Sequence, residues 1–414
     1  MRVRYGIYLV SLMGLVGLAA LPAAEGKQQR LERLLNRAVI IDLHSDTTQL
    51  MLLEDYDMGR RHSYAQEDIP RMREAHLAAQ FFSLNPNSKR LTPLESVSRA
   101  LEELDAVRRE VRANPDDFEW VTTAEGILQA RRRGRMAVLL GLEGGHMIDS
   151  NPAVLRTFFE LGARYLTLTH FTSTPWADSS TDEPQSNGLS PHGRALVGEM
   201  NRLGMMIDIS HVSDKTFYDV LETTRAPVIA SHSACRAITD APRNMTDEML
   251  RALARNGGVV HINFFTGYLD QEFWDVSRKY EEQRRREQAE AKALYATDPV
   301  AAGKKLREVN QKYREIFPKV PLSKLLDHFD HAVRVAGVDH VGLGSDFDGV
   351  SDLLPVGMED VSKLPALIEG FIDRGYLDKD IEKILGLNTL RVMRQVERTA
   401  RESRGRKPLP ARAR

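Results

Sequence analysis

The sequence predicts an α/β fold, a (β/α)8 barrel of the TIM type with a helical insertion before the last strand. Three observations carry this. First, eight short apolar runs recur along the chain, at 38–43, 78–84, 136–142, 165–169, 205–210, 227–231, 258–262 and 340–344. Second, most of them are separated by a stretch with helical periodicity, and alternating β and α implies a parallel sheet. Third, six runs end at or beside a His, Asp or Glu, namely His44, Glu143, His170, His211, His232 and Asp346. In a closed barrel the C-terminal strand ends meet at one mouth, where active sites sit; an open sheet gathers fewer of them at one point.

Taken in order, the chain begins with Arg2 and Arg4 before an apolar run from Tyr5 to Ala24 and a small-x-small Ala24-Glu25-Gly26. Residues 1–26 therefore read as a signal peptide, and the protein as exported, periplasmic or secreted, with an uncleaved N-terminal anchor as the alternative. Lys27–Arg37 is a short leading helix. AVIIDL at 38–43 is a buried strand that ends in His44-Ser45-Asp46. Helical stretches follow at Leu94–Arg112 and at Thr123–Arg133, the latter with Thr122 or Thr123 as its cap. MAVLLGL at 136–142 is a strand buried on both faces, and it meets Glu143 and then Gly144-Gly145. The alternation continues through helices at Val154–Leu161, Gly193–Leu203, Asp214–Thr223, Asp247–Asn256 and Lys324–Val335.

The stretch 270–318 breaks this rhythm. It is rich in Glu, Arg, Lys and Gln, with no glycine until Gly303. It reads as one or two solvated helices inserted between the seventh and eighth strands. A lid, or a contact between two copies in a homodimer, is the other role left open for it. Residues 27–397 form one domain, and 398–414 a basic, Pro-containing disordered tail.

Composition narrows the chemistry. Of 414 residues, 42% are hydrophobic and 28% charged, as in an ordinary globular protein. A net charge of −1 gives no case for nucleic acid or an anionic membrane. Cys235 is the single cysteine, so no intrachain disulfide can form and any metal must be held by His and carboxylates.

An acid at the end of a fully apolar strand is costly unless a cation or donor answers it. Glu143 is therefore read as a ligand shared by two metal ions, beside two glycines that allow a sharp turn. His44 and Asp46 form an H-x-D pair at a strand end, both able to reach one metal. His211 and His232 each follow a strand and a serine, and two imidazoles with a carboxylate suit zinc. His170 reads as a contact to substrate or transition state. Arg243, in Pro-Arg-Asn, offers a fork that matches a substrate carboxylate. Asp346 belongs at the mouth as a proton carrier, with Asp348 supporting its loop.

These stretches, with Asp68-Ile69-Pro70-Arg71-Met72-Arg73, Ala79-Gln80-Phe81-Phe82-Ser83, Arg164–His170 and Thr174-Pro175-Trp176-Ala177-Asp178, resemble the membrane (renal-type) dipeptidases, zinc peptidase family M19. The resemblance spans about residues 35–397. It implies a barrel of the metal-dependent hydrolase kind, with two zinc ions per chain and dipeptides as substrates. One zinc would be held by His44 and Asp46, the other by His211 and His232, with Glu143 between them. His170, Arg243 and Asp346 match substrate-contact and proton-transfer positions. Three departures stand out. Mammalian members are disulfide-linked and lipid-anchored, and this sequence, with Cys235 as its one cysteine and a basic tail, is read as matching neither. The 270–318 stretch is long for the family. Asp240-Ala241 precedes Pro242 where the family pattern has a histidine. Read without the resemblance, the residues also accommodate another two-metal barrel amidohydrolase or lactonase, or an exported zinc-binding protein with no turnover.

Overall fold

The computed structural model describes residues 26–86 and 88–410, together with Val3. The expected signal at 1–26 lies, but for Val3 and Gly26, outside the described residues. Among those described, no helix is long and apolar enough to cross a membrane.

Nine parallel strands form one sheet: β1 Ile40–Ser45, β2 Leu77–Leu84, β3 Phe118–Trp120, β4 Met136–Glu143, β5 Ala163–Thr167, β6 Met206–Asp208, β7 Ile229–Ser233, β8 Val259–Ile262 and β9 Val341–Leu343. Eight of them close into a barrel, because β2 pairs with β1 on one side and with β4 on the other. The expected eight-stranded barrel is thus present. β3 is an addition. Ala137 pairs with Ala79 of β2 and Glu119 of β3, while β5 takes over from Leu140 onward. β3 therefore fills the lower part of the seam that β5 fills above. At three residues, after the turn-forming Asn-Pro-Asp-Asp at 114–117, it carries no periodicity that a sequence could reveal.

Other elements fall within a few residues of expectation. The strand expected at 165–169 is Ala163–Thr167, since its ladder starts at the Leu140–Ala163 pair. The one expected at 205–210 is cut to Met206–Asp208, because the chain turns off toward His211, which has a left-handed φ of 68°. Thr123 is the cap of helix Ala124–Arg132, and its hydroxyl accepts from Gly126 N. The tail needs correction: the last helix, Asn388–Glu402, runs five residues past the boundary placed at 397. Its apolar face, Leu390, Val392, Met393 and Val396, is buried. Beyond it Leu409 is held at both ends of its peptide, donating from N to Glu199 Oε2 (3.2 Å) and accepting at O from Arg156 Nη1 (2.9 Å). Residues 411–414 are outside the described set.

Strand parity positions the key acid. In β4, Val138, Leu140 and Leu142 pack among the surrounding helices, while Ala137 and Leu139 belong to a second cluster with Phe81 and Tyr165. Glu143 shares the parity of 137 and 139, so it emerges inside the barrel at its mouth. Two register shifts do the same for histidines. β1 advances three residues from Asp42 to Ser45 while β2 advances two, and β7 advances three from Ala230 to Ser233 while β8 advances two. Bulges of this kind redirect side chains beside sites, and here they hold His44 and His232.

The 270–318 stretch forms two helices, Gln271–Leu294 and Pro299–Ile316, packed on each other and on the barrel mouth. A small cluster of Phe273, Val309, Tyr313, Phe317, Val320 and Leu353 anchors them.

Candidate metal centre at the barrel mouth

Glu143 stands at the centre, with its two oxygens facing different partners. Oε1 lies 3.0 Å from His211 Nε2 and 3.1 Å from His232 Nε2. Oε2 lies 3.6 Å from His44 Nε2, which is also 3.6 Å from Asp46 Oδ1 and 3.9 Å from Asp346 Oδ1. All six residues are at most lightly exposed, and five are buried outright. His44, Asp46, Glu143, His211 and His232, which span 189 positions of sequence, thus converge as expected.

The donor set fits cations. Potential ligand atoms of His44, Glu143 and His232, of Glu143, His170 and His211, and of His44, Asp46 and Asp346 lie within 4.8 Å of one another. His44 Nε2 and Asp46 Oδ1 are buried with no hydrogen-bond partner, a state that is rare unless something else satisfies them. The Nε2 atoms of His211 and His232 approach to 2.9 Å. Nitrogen and oxygen donors crowded in this way suit a borderline ion such as zinc.

Electrostatics agree. Burial alone would raise Glu143, yet the imidazoles of His170 and His44 and hydrogen bonds from His211 and His232 hold it well below the usual carboxylate range. Burial drives His211 and His232 well below the ordinary histidine value, so both are neutral, the form that ligates metal. His44 goes the other way. Despite burial, Tyr165, Glu143 and Asp46 raise it. Burial lifts Asp346 to about 7, with Asp46 and Glu143 adding to the rise and His44 opposing it.

A second ring of residues fixes these side chains. Asp208 accepts from Ser231 Oγ (2.6 Å) and Thr167 Oγ1 (2.5 Å). With its own hydrogen committed, Ser231 Oγ accepts from His232 Nδ1 at 2.8 Å, which leaves His232 Nε2 free for a metal. The Tyr165 hydroxyl sits 2.9 Å from His44 Nδ1 in the same role. That ring occupies the space a side chain at 141 would need: a Cβ on Gly141 would fall 1.8 Å from Tyr165 Cζ. Asn85 donates to Asp46 Oδ2 (3.1 Å) and Asn263 to Asp346 Oδ2 (2.8 Å). Asp348 supports the loop as expected, accepting from Thr47 Oγ1 (2.6 Å) and Gln66 N (2.8 Å). Asp346 and His211 both have left-handed backbones, φ 63° and 68°, conformations that cluster at sites.

The remaining expected residues line a cavity of about 730 Å³ above this floor. His170 Nε2 is 3.8 Å from Glu143 Oε1, and burial lowers its pKa to about 4. Arg243 donates from Nη2 to His232 O (3.1 Å) and lies over the Tyr268 ring, while its Nε and Nη1 are buried without partners. A guanidinium with two unused donors has the fork that matches a carboxylate.

Sequence reasoning missed Tyr165, Ser231, Asp208, Asn85 and Asn263. Tyr165 inside a strand reads as core. Its one signal is Gly141, a glycine inside a strand, which marks a close approach. It also missed that Trp274, Arg278, Arg284 and Lys292 of the inserted helices form the cavity wall.

Comparison with known proteins agrees with this geometry. Dipeptidase 3 of Macaca fascicularis is 35% identical over 395 residues, covering 93% of this chain and 70% of that protein. The crystal structure of the probable dipeptidase PvdM from Pseudomonas aeruginosa superposes with a TM-score of 0.74 at 26% identity, covering 90% of this chain and 99% of the other. A metallopeptidase from Rhodobacter sphaeroides, solved with a phosphinate mimic of the dipeptide L-Ala-D-Ala, shares the fold, with a TM-score of 0.70 at 24% identity over 87% of this chain and 99% of that one. The family model for membrane dipeptidases matches residues 28–407, and the chain belongs to the membrane dipeptidase family, peptidase family M19.

Proposed function

We propose that this protein is an exported dipeptidase that hydrolyses the peptide bond of dipeptides with two zinc ions at the barrel mouth. The observation that carries the reading is Glu143, whose Oε1 faces His211 and His232 and whose Oε2 faces His44. His44 and Asp46 would hold one ion and His211 and His232 the other, with Glu143 shared. Two zinc ions there would polarise the peptide carbonyl and lower the pKa of a water from ~15.7 toward ~7.

The chain's own residues supply the rest. Arg243 binds the substrate's C-terminal carboxylate through its unpartnered Nε and Nη1, which limits the substrate to short chains. His170, neutral at pH 7, directs a ring nitrogen at the oxygen that gains charge during attack. Asp346, whose carboxyl sits near 7, takes the proton of the attacking water and passes it to the leaving amine. Asn263 fixes one oxygen of Asp346 and so aims the other at the floor. The mimic bound by the Rhodobacter sphaeroides protein supports a dipeptide as substrate and directs attention to a D-residue on its C-terminal side.

The test is a dipeptide panel, including members with C-terminal D-Ala, assayed with zinc-loaded and with chelated protein. Hydrolysis that chelator removes and zinc restores is the expected result. Turnover of lactones or phosphoesters with no dipeptide cleaved would overturn it, as would zinc binding without turnover of any of them.

A further inference from the structure

Helix Gln271–Leu294 carries six acids and six bases, so its sequence sums to no charge. Its placement separates them. Four of the bases, Arg278, Arg284, Arg285 and Lys292, line the cavity over the metal floor, with Glu281 as the single acid beside them. Trp274, Arg278, Glu281, Arg285, Gln288 and Lys292 follow one another at spacings of three or four, the period of one helix face. The other five acids and the remaining two bases lie off this face. A helix that merely sat in solvent would have no reason to sort its charges toward a cavity.

The wall's lone acid is already engaged, since Glu281 pairs with Arg285. Among the described residues, Arg284 and Lys292 have no ion-pair partner, and Arg284 Nε is buried without any hydrogen bond. Arg90, on the loop after β2, lines the same cavity and likewise has no ion pair among the described residues. The floor carboxylates do not neutralise this belt, because they face one another and the histidines around Glu143. Arg243 lies lower, against His232 and Tyr268. It is taken by the C-terminal carboxylate, so the belt is a second anion receptor in the same cavity.

We propose that this wall selects dipeptides bearing a second anionic group, an Asp or Glu side chain in addition to the C-terminal carboxylate. The inference rests on the dipeptidase reading above and names its substrate class. A cleft wall of one sign raises the local concentration of an oppositely charged ligand, and the half-buried Arg284, whose buried Nε has no hydrogen-bond partner, gains most from one.

The experiment compares kcat/KM for Glu-Ala with Gln-Ala, and for Ala-Glu with Ala-Gln, at low and high ionic strength, with Ala-Ala as reference. Each pair shares its C-terminal carboxylate and its shape, so the ratio isolates the second charge. In one of the two orders the acidic member should be preferred about tenfold at low salt, and less as salt rises. The doubly substituted Arg284→Gln/Lys292→Gln protein should bring that ratio below about threefold. Arg90→Gln, on a different element, gives an independent second reading. Ala-Ala cleavage with acidic and amide substrates treated alike would sink the charge proposal and leave the dipeptidase reading standing. An acidic preference that survives all three substitutions would also sink it. No cleavage of any dipeptide would remove both.

Discussion

The floor of the cavity and its wall are built by opposite rules. The floor is made of strand ends. His44, Asp46, Glu143, His211 and His232 are buried, and His44, Asp46 and His232 are pinned by Tyr165, Asn85 and Ser231. Register and bulges fix their positions to the precision of a backbone ladder. The wall is the inserted helix Gln271–Leu294, backed by the second inserted helix. Apart from six apolar residues the two helices are held by a few ion pairs, the half-buried Arg307–Glu54 to the barrel side and the exposed Lys312–Glu287 between the helices. Exposed pairs contribute little to stability. The lesson is a division of labour. On the proposed reading, chemistry sits on the buried strand ends and choice of substrate on the part whose sequence can change at small cost to the fold.

The sharpest way to break this comparison is at the floor. Asp346→Ala should lower turnover by about 10²–10⁴-fold, the range for a lost acid–base group, while metal analysis finds both ions still bound. Loss of a metal in that variant would make Asp346 a ligand instead. Tyr165→Phe removes only the hydroxyl beside His44 Nδ1. It should weaken metal affinity or activity by about 10–100-fold, the usual cost of a lost outer partner, as read by competition with a chelator. Unchanged affinity would mean that packing alone orients His44.

At the wall the effects should be smaller and local. Phe273, packed edge-on against Phe317 at 5.2 Å between ring centres, anchors the inserted helices. Phe273→Ala should cost about 3–5 kcal/mol within that cluster. Limited proteolysis should then cut inside 271–320 sooner, with little change in the barrel's thermal unfolding. An equal loss across the whole protein would show that the wall is part of the barrel's cooperative unit. Smallest of all, Lys305→Ala, which breaks the exposed pair with Glu308, should leave thermal stability unchanged, and a clear drop would contradict the picture of a loosely tied wall.

The same division explains what could be read from the sequence. The five proposed ligands were legible because each follows an apolar run, and a charge or imidazole in that position requires an explanation. The arrangement that presents them was not. Nothing in Ile40–Ser45 announces that β1 slips one residue against β2, yet without that slip His44 would face the helices instead of Tyr165. Ser231 and Asp208 set the tautomer of His232 through a contact between neighbouring strands that no local pattern encodes. β3 was too short to show periodicity. The inserted stretch was correctly read as helical and charged. Its sorting of those charges became visible only once one face was known to look into the cavity.

Glu143 carries one more consequence. On the proposed two-ion reading, Oε1 would serve the ion at His211 and His232 and Oε2 the ion at His44, so the two positions would share the charge of Glu143. Vacating one position strengthens that charge at the other, and filling the second requires the anion to be divided again. Loading would then be a linked, two-step titration with unequal steps. Metal taken up at low stoichiometry should distribute as singly occupied molecules before any become doubly occupied.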